Sequence, residues 1–139
     1  MVHVTDDGVF DAPVEKVWKY INDPNFHQHS AVKFTKVLEQ SGNAMTVEVE
    51  AKNSDGSSRK ETWKMTMNPP KSHHTEVLAG PMKGSNNTHT YTPMGDKTKV
   101  IVEGDFYAQG MDDASTKKAV LAMWDTVFNE DNANLKAYK

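Results

Sequence analysis

The chain has 139 residues and a formal charge of −3, from 16 Lys and Arg against 19 Asp and Glu. That length suits one domain, residues 1–139, with its own core. The acidic balance, with no basic block longer than Lys117-Lys118, lacks the electrostatic footprint of a nucleic-acid binder, and the absence of cysteine excludes disulfides, thiolate metal sites and cysteine nucleophiles.

Val2, Val4, Val9 and Phe10 predict a first strand, with the slipped alternation at Asp6-Asp7-Gly8 marking a bulge. Pro13 suits a first helical position, and Val14, Val17, Trp18 and Ile21 then follow the i, i+3, i+4, i+7 spacing of one buried stripe. Asp23 precedes Pro24 and reads as the cap of a second short helix, through Phe26 to about Ser30.

From Val32 the period changes to two. Strands are predicted at 32–40, 45–52 and 59–68, joined by Ser41-Gly42-Asn43 and the polar loop 53–57. Met45, Val47 and Val49 alternate with Thr46, Glu48 and Glu50. Trp63, Met65 and Met67 alternate with Thr62, Lys64 and Thr66, as in an antiparallel sheet covered on one face. Further strands are predicted at 73–79, 88–92 and 99–107, separated by the loop Gly80-Pro81-Met82-Lys83-Gly84 and the turn Met94-Gly95-Asp96. Asp112 and Asp113 then open a helix that meets no proline or glycine up to Lys139, on the order of 40 Å long. Its apolar stripe is Val120, Leu121, Trp124, Val127, Phe128, Leu135 and Tyr138. The longest apolar run, Ala119 to Trp124, is far short of a membrane span, and no charged-then-apolar leader opens the chain, so the expected setting is soluble and cytoplasmic.

This element order, with the segment FDAPVEKVWKYINDPNFHQHS at residues 10–30, resembles the START-like (SRPBCC) superfamily, the helix-grip fold. Birch-pollen-allergen-like proteins, lipid-transfer domains, polyketide cyclases and coenzyme Q-binding proteins share it. The Ala12-Pro13 pair, Val17-Trp18 and Asp23-Pro24 match the family's opening helices. The resemblance implies an α+β fold: a curved seven-stranded antiparallel sheet gripping a long C-terminal helix, with two short helices between the first and second strands. It also implies a cavity between sheet and helix that holds a hydrophobic small molecule such as a lipid, quinone or polyketide. No cofactor is expected.

On that reading the ligand-binding face carries Met45, Val47, Val49, Trp63, Met65, Met67, His89, Tyr91, Val100, Val102 and Phe106, opposed by Val120, Trp124 and Phe128. Methionine serves adaptable pockets, yet it also fills ordinary cores. His89 and Tyr91 share a strand face opposite Thr88, Thr90 and Thr92, and are the candidates for acid-base chemistry of a cyclase or dehydratase. Against this stands a structural or solvent-facing role for the pair. Asp131 and Asn132 interrupt the helix stripe, marking either a portal or, the preferred reading, a helix end that leaves the sheet. His27 and His29 on a helix, and His73 and His74 on a strand, point apart, so neither pair chelates alone and no metal site is expected. The residues 80–85 lack the spacing of a phosphate-binding loop and read as a hairpin connection that can also gate a cavity. A third class, an interaction module like the Hsp90 co-chaperones of the superfamily, requires an exposed apolar patch and no enclosed cavity.

Overall fold

The computed structural model describes residues 1–23, 25–27, 29–53 and 55–138. Its elements run β1 (Val2–Phe10), α1 (Val14–Ile21), β2 (Val32–Ser41), β3 (Ala44–Lys52), β4 (Ser58–Asn68), β5 (Ser72–Ala79), β6 (Asn86–Met94), β7 (Lys97–Phe106) and α2 (Asp113–Ala137). The strands form one antiparallel sheet in the order β1-β7-β6-β5-β4-β3-β2, so β2 to β7 make a meander that β1 closes by pairing with β7. The result is an α+β helix grip with a short helix after the first strand and a long C-terminal helix, as the sequence predicts.

Two local expectations change. β1 carries no bulge: its register against β7 runs unbroken from Val2↔Phe106 to Phe10↔Thr98. Asp6 and Gly8 thereby join Val4 and Phe10 on the concave face, where a Cβ at Gly8 would stand 2.5 Å from Phe128 Cε2. The aromatic ring, not a slipped register, explains the glycine. The second short helix is also absent from the described residues, Pro24 and Gln28 lying outside them. The amides of Phe26 and His27 both donate to the Asp23 carbonyl at 3.1 and 2.9 Å, which makes a turn.

Two apolar clusters fix the helices. Phe10, Ala12, Trp18, Tyr91, Val100, Leu135 and Tyr138 pack α1 and the C-terminal half of α2 onto β1, β6 and β7. Trp18 also donates its indole N–H to the Pro70 carbonyl at 2.8 Å, anchoring α1 across the β4–β5 turn. The second cluster joins Val4, Val102, Phe106, Val120 and Trp124. The buried positions of α2 are Thr116, Val120, Trp124, Asp131 and Leu135, so Asp131 continues the buried stripe rather than leaving the sheet.

α2 starts where predicted. Asp112 is its N-cap, accepting the Ser115 amide at 2.7 Å and satisfying one of the free donors of the first turn. Asp112→Ala is expected to cost about 1 kcal/mol, read as a lower urea midpoint with an unchanged slope.

Candidate functional site

The concave face is apolar toward β1, β3 and β7, and polar where β4, β5 and β6 meet. The register sets these neighbours. His89 lies between Val102 of β7 and His73 of β5, with Met67 of β4 beyond. One row over, Asn87 pairs with Thr75 and Thr75 with Met65. On β4, Glu61 and Arg59 continue the parity of Trp63 and so face inward with it. Glu61 is 2% exposed; it accepts the Trp63 indole N–H at 3.2 Å and lies 3.4 Å from Arg59 Nε. Arg59 donates from Nη1 to the Lys52 carbonyl at 3.1 Å and to Asn53 Oδ1 at 3.0 Å.

This polar wall is incompletely paired. Arg59 Nε, Glu61 Oε2, His73 Nδ1, Asn87 Oδ1 and His89 Nδ1 are buried without a hydrogen-bond partner. A buried polar atom left unpaired costs about 1–3 kcal/mol, and all five lie on the inner face of β4, β5 and β6.

Two hollows lie between sheet and α2. The smaller, about 70 Å³, is bordered by Asp6, Gly8, His89, Tyr91, Trp124, Phe128 and Asp131 among others. The larger, about 710 Å³, opens beside the N-terminal half of α2. Thr116, Val120, Met123 and Thr126 line it on the helix, Ser30, Ala31, Lys52, Asn53 and Arg59 on the far side, and Pro81, Met82, Ala108 and Gln109 on the loops. The first holds little more than a water or two; the second falls within the roughly 300–1,000 Å³ of small-molecule sites. The loop 80–84 sits at this larger hollow but is tied down, since its Pro81 carbonyl accepts the Gln109 amide at 2.9 Å and Gly84 donates to Val77 at 2.9 Å.

Placed on this frame, the predicted ligand-binding residues divide. His89, Tyr91, Val100, Val102, Trp124 and Phe128 border the small hollow, and Val120 the large one. Val47 and Val49 are fully buried and Phe106 is 3% exposed in the Val4–Trp124 cluster. Met45, Trp63, Met65 and Met67 are half-buried on the same face, and none of these seven lines either hollow.

His89 and Tyr91 face inward together, away from the threonines. His73 Nε2 shares a hydrogen bond with the Tyr91 hydroxyl at 2.9 Å, and the His73 and His89 rings stack with centroids 4.5 Å apart. Burial, then repulsion from His74, pushes the His73 imidazole down to about 4. Burial, then repulsion from His73 and His27, holds His89 well below its ordinary range. Burial, reinforced by the charge of Asp131, raises the Tyr91 hydroxyl. At neutral pH these groups present uncharged imidazoles and an intact phenol.

A second group forms where the turn after α1 meets α2. Contrary to the helical expectation, His27 and His29 converge, with their Nε2 atoms 3.1 Å apart. The turn at 23–27 replaces the helical geometry that would have separated them. Asp131 Oδ1 lies 3.7 Å from His27 Nε2 and 3.4 Å from His29 Nε2, and accepts the Tyr20 hydroxyl at 2.7 Å. Glu130 Oε1 lies 3.2 Å from His29 Nδ1, and Ser30 donates its hydroxyl to Glu130 Oε2 at 2.6 Å. Burial pushes His27 down to about 4, with repulsion from His29 and His73 adding to it. Burial also raises Asp131, against the opposing pull of His29 and Tyr20.

The sequence model of the family described as polyketide cyclase / dehydrase and lipid transport matches residues 1–138. The chain belongs to this family. Among solved structures, the polyketide cyclase / dehydrase fold seen here is similar to a START superfamily protein from Mycobacterium smegmatis, at 15% identity, TM-score 0.80 and 99% coverage of both chains. It is also similar to the Zhui aromatase/cyclase from Streptomyces sp. R1128, at 15% identity, TM-score 0.74 and coverage of 96% and 90%. Ara h 8.0201 aligns at 13% identity, TM-score 0.77 and 98% of both chains. At such identities the likeness lies in the fold that polyketide cyclase / dehydrase family members share. No curated protein sequence matches the chain. Among the described residues, no helix is long and apolar enough to cross a membrane.

Proposed function

We propose that the protein binds a small molecule with an apolar body and several oxygen or nitrogen functions, held between the sheet and the N-terminal half of α2. The observation that carries this reading is the hollow of about 710 Å³, with apolar Met82, Val120 and Met123 facing Arg59 across it. Arg59, whose buried Nε has no hydrogen-bond partner, lines this hollow and argues for a ligand with polar groups over a plain hydrocarbon, since such a ligand recovers its desolvation cost. Quinone-like and polyketide-like molecules have that composition, and the family description is compatible with either.

A second reading, a cyclase or dehydratase, is favoured by one arrangement. The uncharged His89 and the phenol of Tyr91 border the hollow of about 70 Å³, which admits one functional group of a substrate and not its body. There a neutral imidazole can take a proton and a phenol can polarise a carbonyl. The interaction-module reading draws on Phe34, Val37 and Leu38, exposed together on the edge strand β2, and the cavity speaks against it.

Native mass spectrometry of the protein purified from its own cells, followed by organic extraction, tests the binding proposal. A stoichiometric small molecule is expected. An empty protein that also ignores a fluorescent apolar probe overturns the proposal. With the compound in hand, His89→Phe and Tyr91→Phe separate carrier from enzyme. Under the enzyme reading they retain binding and lose turnover by roughly 10²–10⁴-fold; unchanged turnover removes both residues from any mechanism.

A further inference from the structure

We propose that His27 Nε2, His29 Nε2 and Asp131 Oδ1 form a binding site for one divalent transition-metal ion of the zinc class. The three atoms make a triangle with sides of 3.1, 3.4 and 3.7 Å. A triangle with these sides has a circumradius of about 2.0 Å, so a point just off its plane stands about 2.0–2.1 Å from all three atoms, the length of zinc–imidazole and zinc–carboxylate bonds.

The ring separation matches the one that point requires. Imidazoles directing their Nε2 lone pairs at it would have centroids about 4.8 Å apart, whereas an in-line N–H···N hydrogen bond of the same length would set them at about 5.4 Å. The centroids stand 4.8 Å apart, with the rings at 87°. A separation of 4.8 Å is that of a bent pair and not of an in-line hydrogen bond.

Two of the ligands also have outer partners, as metal-binding side chains do. His29 Nδ1 meets Glu130 at 3.2 Å, and Asp131 accepts from Tyr20 at 2.7 Å. The Glu130 contact leaves the opposite nitrogen of His29 free to ligate. Access is provided by His27, whose side chain is 24% exposed, while those of His29 and Asp131 are 12% and 13% exposed. Two imidazoles and one carboxylate leave at least one coordination position open and the ion with a net charge of +1. That position suits water or an oxygen donor such as a carboxylate, enolate or carbonyl. Metal binding does not depend on what occupies the larger hollow, so either proposal can fail alone.

The test is equilibrium dialysis of chelator-stripped protein against zinc, with metal counted by mass spectrometry, and a parallel titration with cobalt(II) followed by visible absorption. One equivalent of zinc is expected, together with the intense d–d bands of a low-coordinate nitrogen–oxygen site. Glu130→Gln is expected to weaken binding roughly 10–100-fold through the orientation of His29, and His29→Gln to abolish it. In the unaltered protein, zinc is expected to shift the ring resonances of His27 and His29 while leaving those of His3 and His74 in place. Substoichiometric zinc, or histidine resonances that move without regard to position, overturns the proposal. So does one equivalent retained by a folded His29→Gln protein.

Discussion

Acidification of the chelator-stripped protein from pH 7 to pH 4 is expected to remove several kcal/mol of stability, enough to unfold it in mild urea. The folded state holds His27 and His73 near 4 and His89 well below 6.5, the ordinary value that the unfolded chain recovers. As pH falls through 6.5, the unfolded chain therefore takes up protons first, and the balance shifts toward it until the folded values are reached. Each shift of this size corresponds to on the order of 3 kcal/mol. Asp131 works the other way. Its folded value is raised, so it favours the folded state on acidification, but only in the window between its raised value and the ordinary 3.8. Burial would raise Glu130, but hydrogen bonds from Ser30 and His29 outweigh it and hold it low, so its contribution is lost only in stronger acid. Urea midpoints measured every half unit of pH should fall most steeply between about 6.5 and 4. A flat profile over that interval would mean that these imidazoles charge freely in the native protein. His89→Gln, which removes one of the three, should make the fall shallower.

Gly104→Ala is expected to cost roughly 3 kcal/mol, a large effect for the addition of one methyl group. Nothing in its backbone conformation demands glycine, since its φ is not positive. The constraint is the neighbouring strand: a Cβ at this position would overlap the Asn86 carbonyl oxygen and stand 2.7 Å from Asn87 Cα. Backbone cannot swing aside as a side chain can, so β6 and β7 would have to part where Gly104 pairs with Asn87. Gly42→Ala is the informative comparison. Gly42 has a φ of 58° and nothing within 4 Å of the added carbon, so its penalty is the backbone strain alone, about 1 kcal/mol. Equal losses in the two variants would show that β6 and β7 accommodate the methyl group.

The fold was legible because it is written in periodicity. The alternation through Met45–Val49 and Trp63–Met67 sets the inner face of β3 and β4, and Asp112 marks the start of α2. Parity alone would also have placed Glu61 and Arg59 inward, two and four residues before Trp63, but charged residues at a loop end read as solvent-facing until the burial of the strand is known. Asp131 misled in the same way. Its carboxylate looks like the end of a buried stripe, and only the arrival of Tyr20 and the two histidines from the far side of the sequence explains its place. A local pattern cannot report contacts across some hundred residues of chain. His27 and His29 were misread because their separation was judged on a helix that the described residues do not form.

The helix α2 rests along β1, with Trp124 and Leu135 driven into the two clusters on that side, whereas the hollow opens toward the loops that follow β3, β5 and β7. The molecule thus has a keel and a deck. Substitutions in the keel, around Val4, Trp124 and Tyr20, are paid in folding. Those on the deck, at Lys52, Asn53, Pro81 or Gln109, alter the lining of the hollow while the hull stays sound. Such a division lets the lining of the hollow change by small steps, none of them first tested for survival.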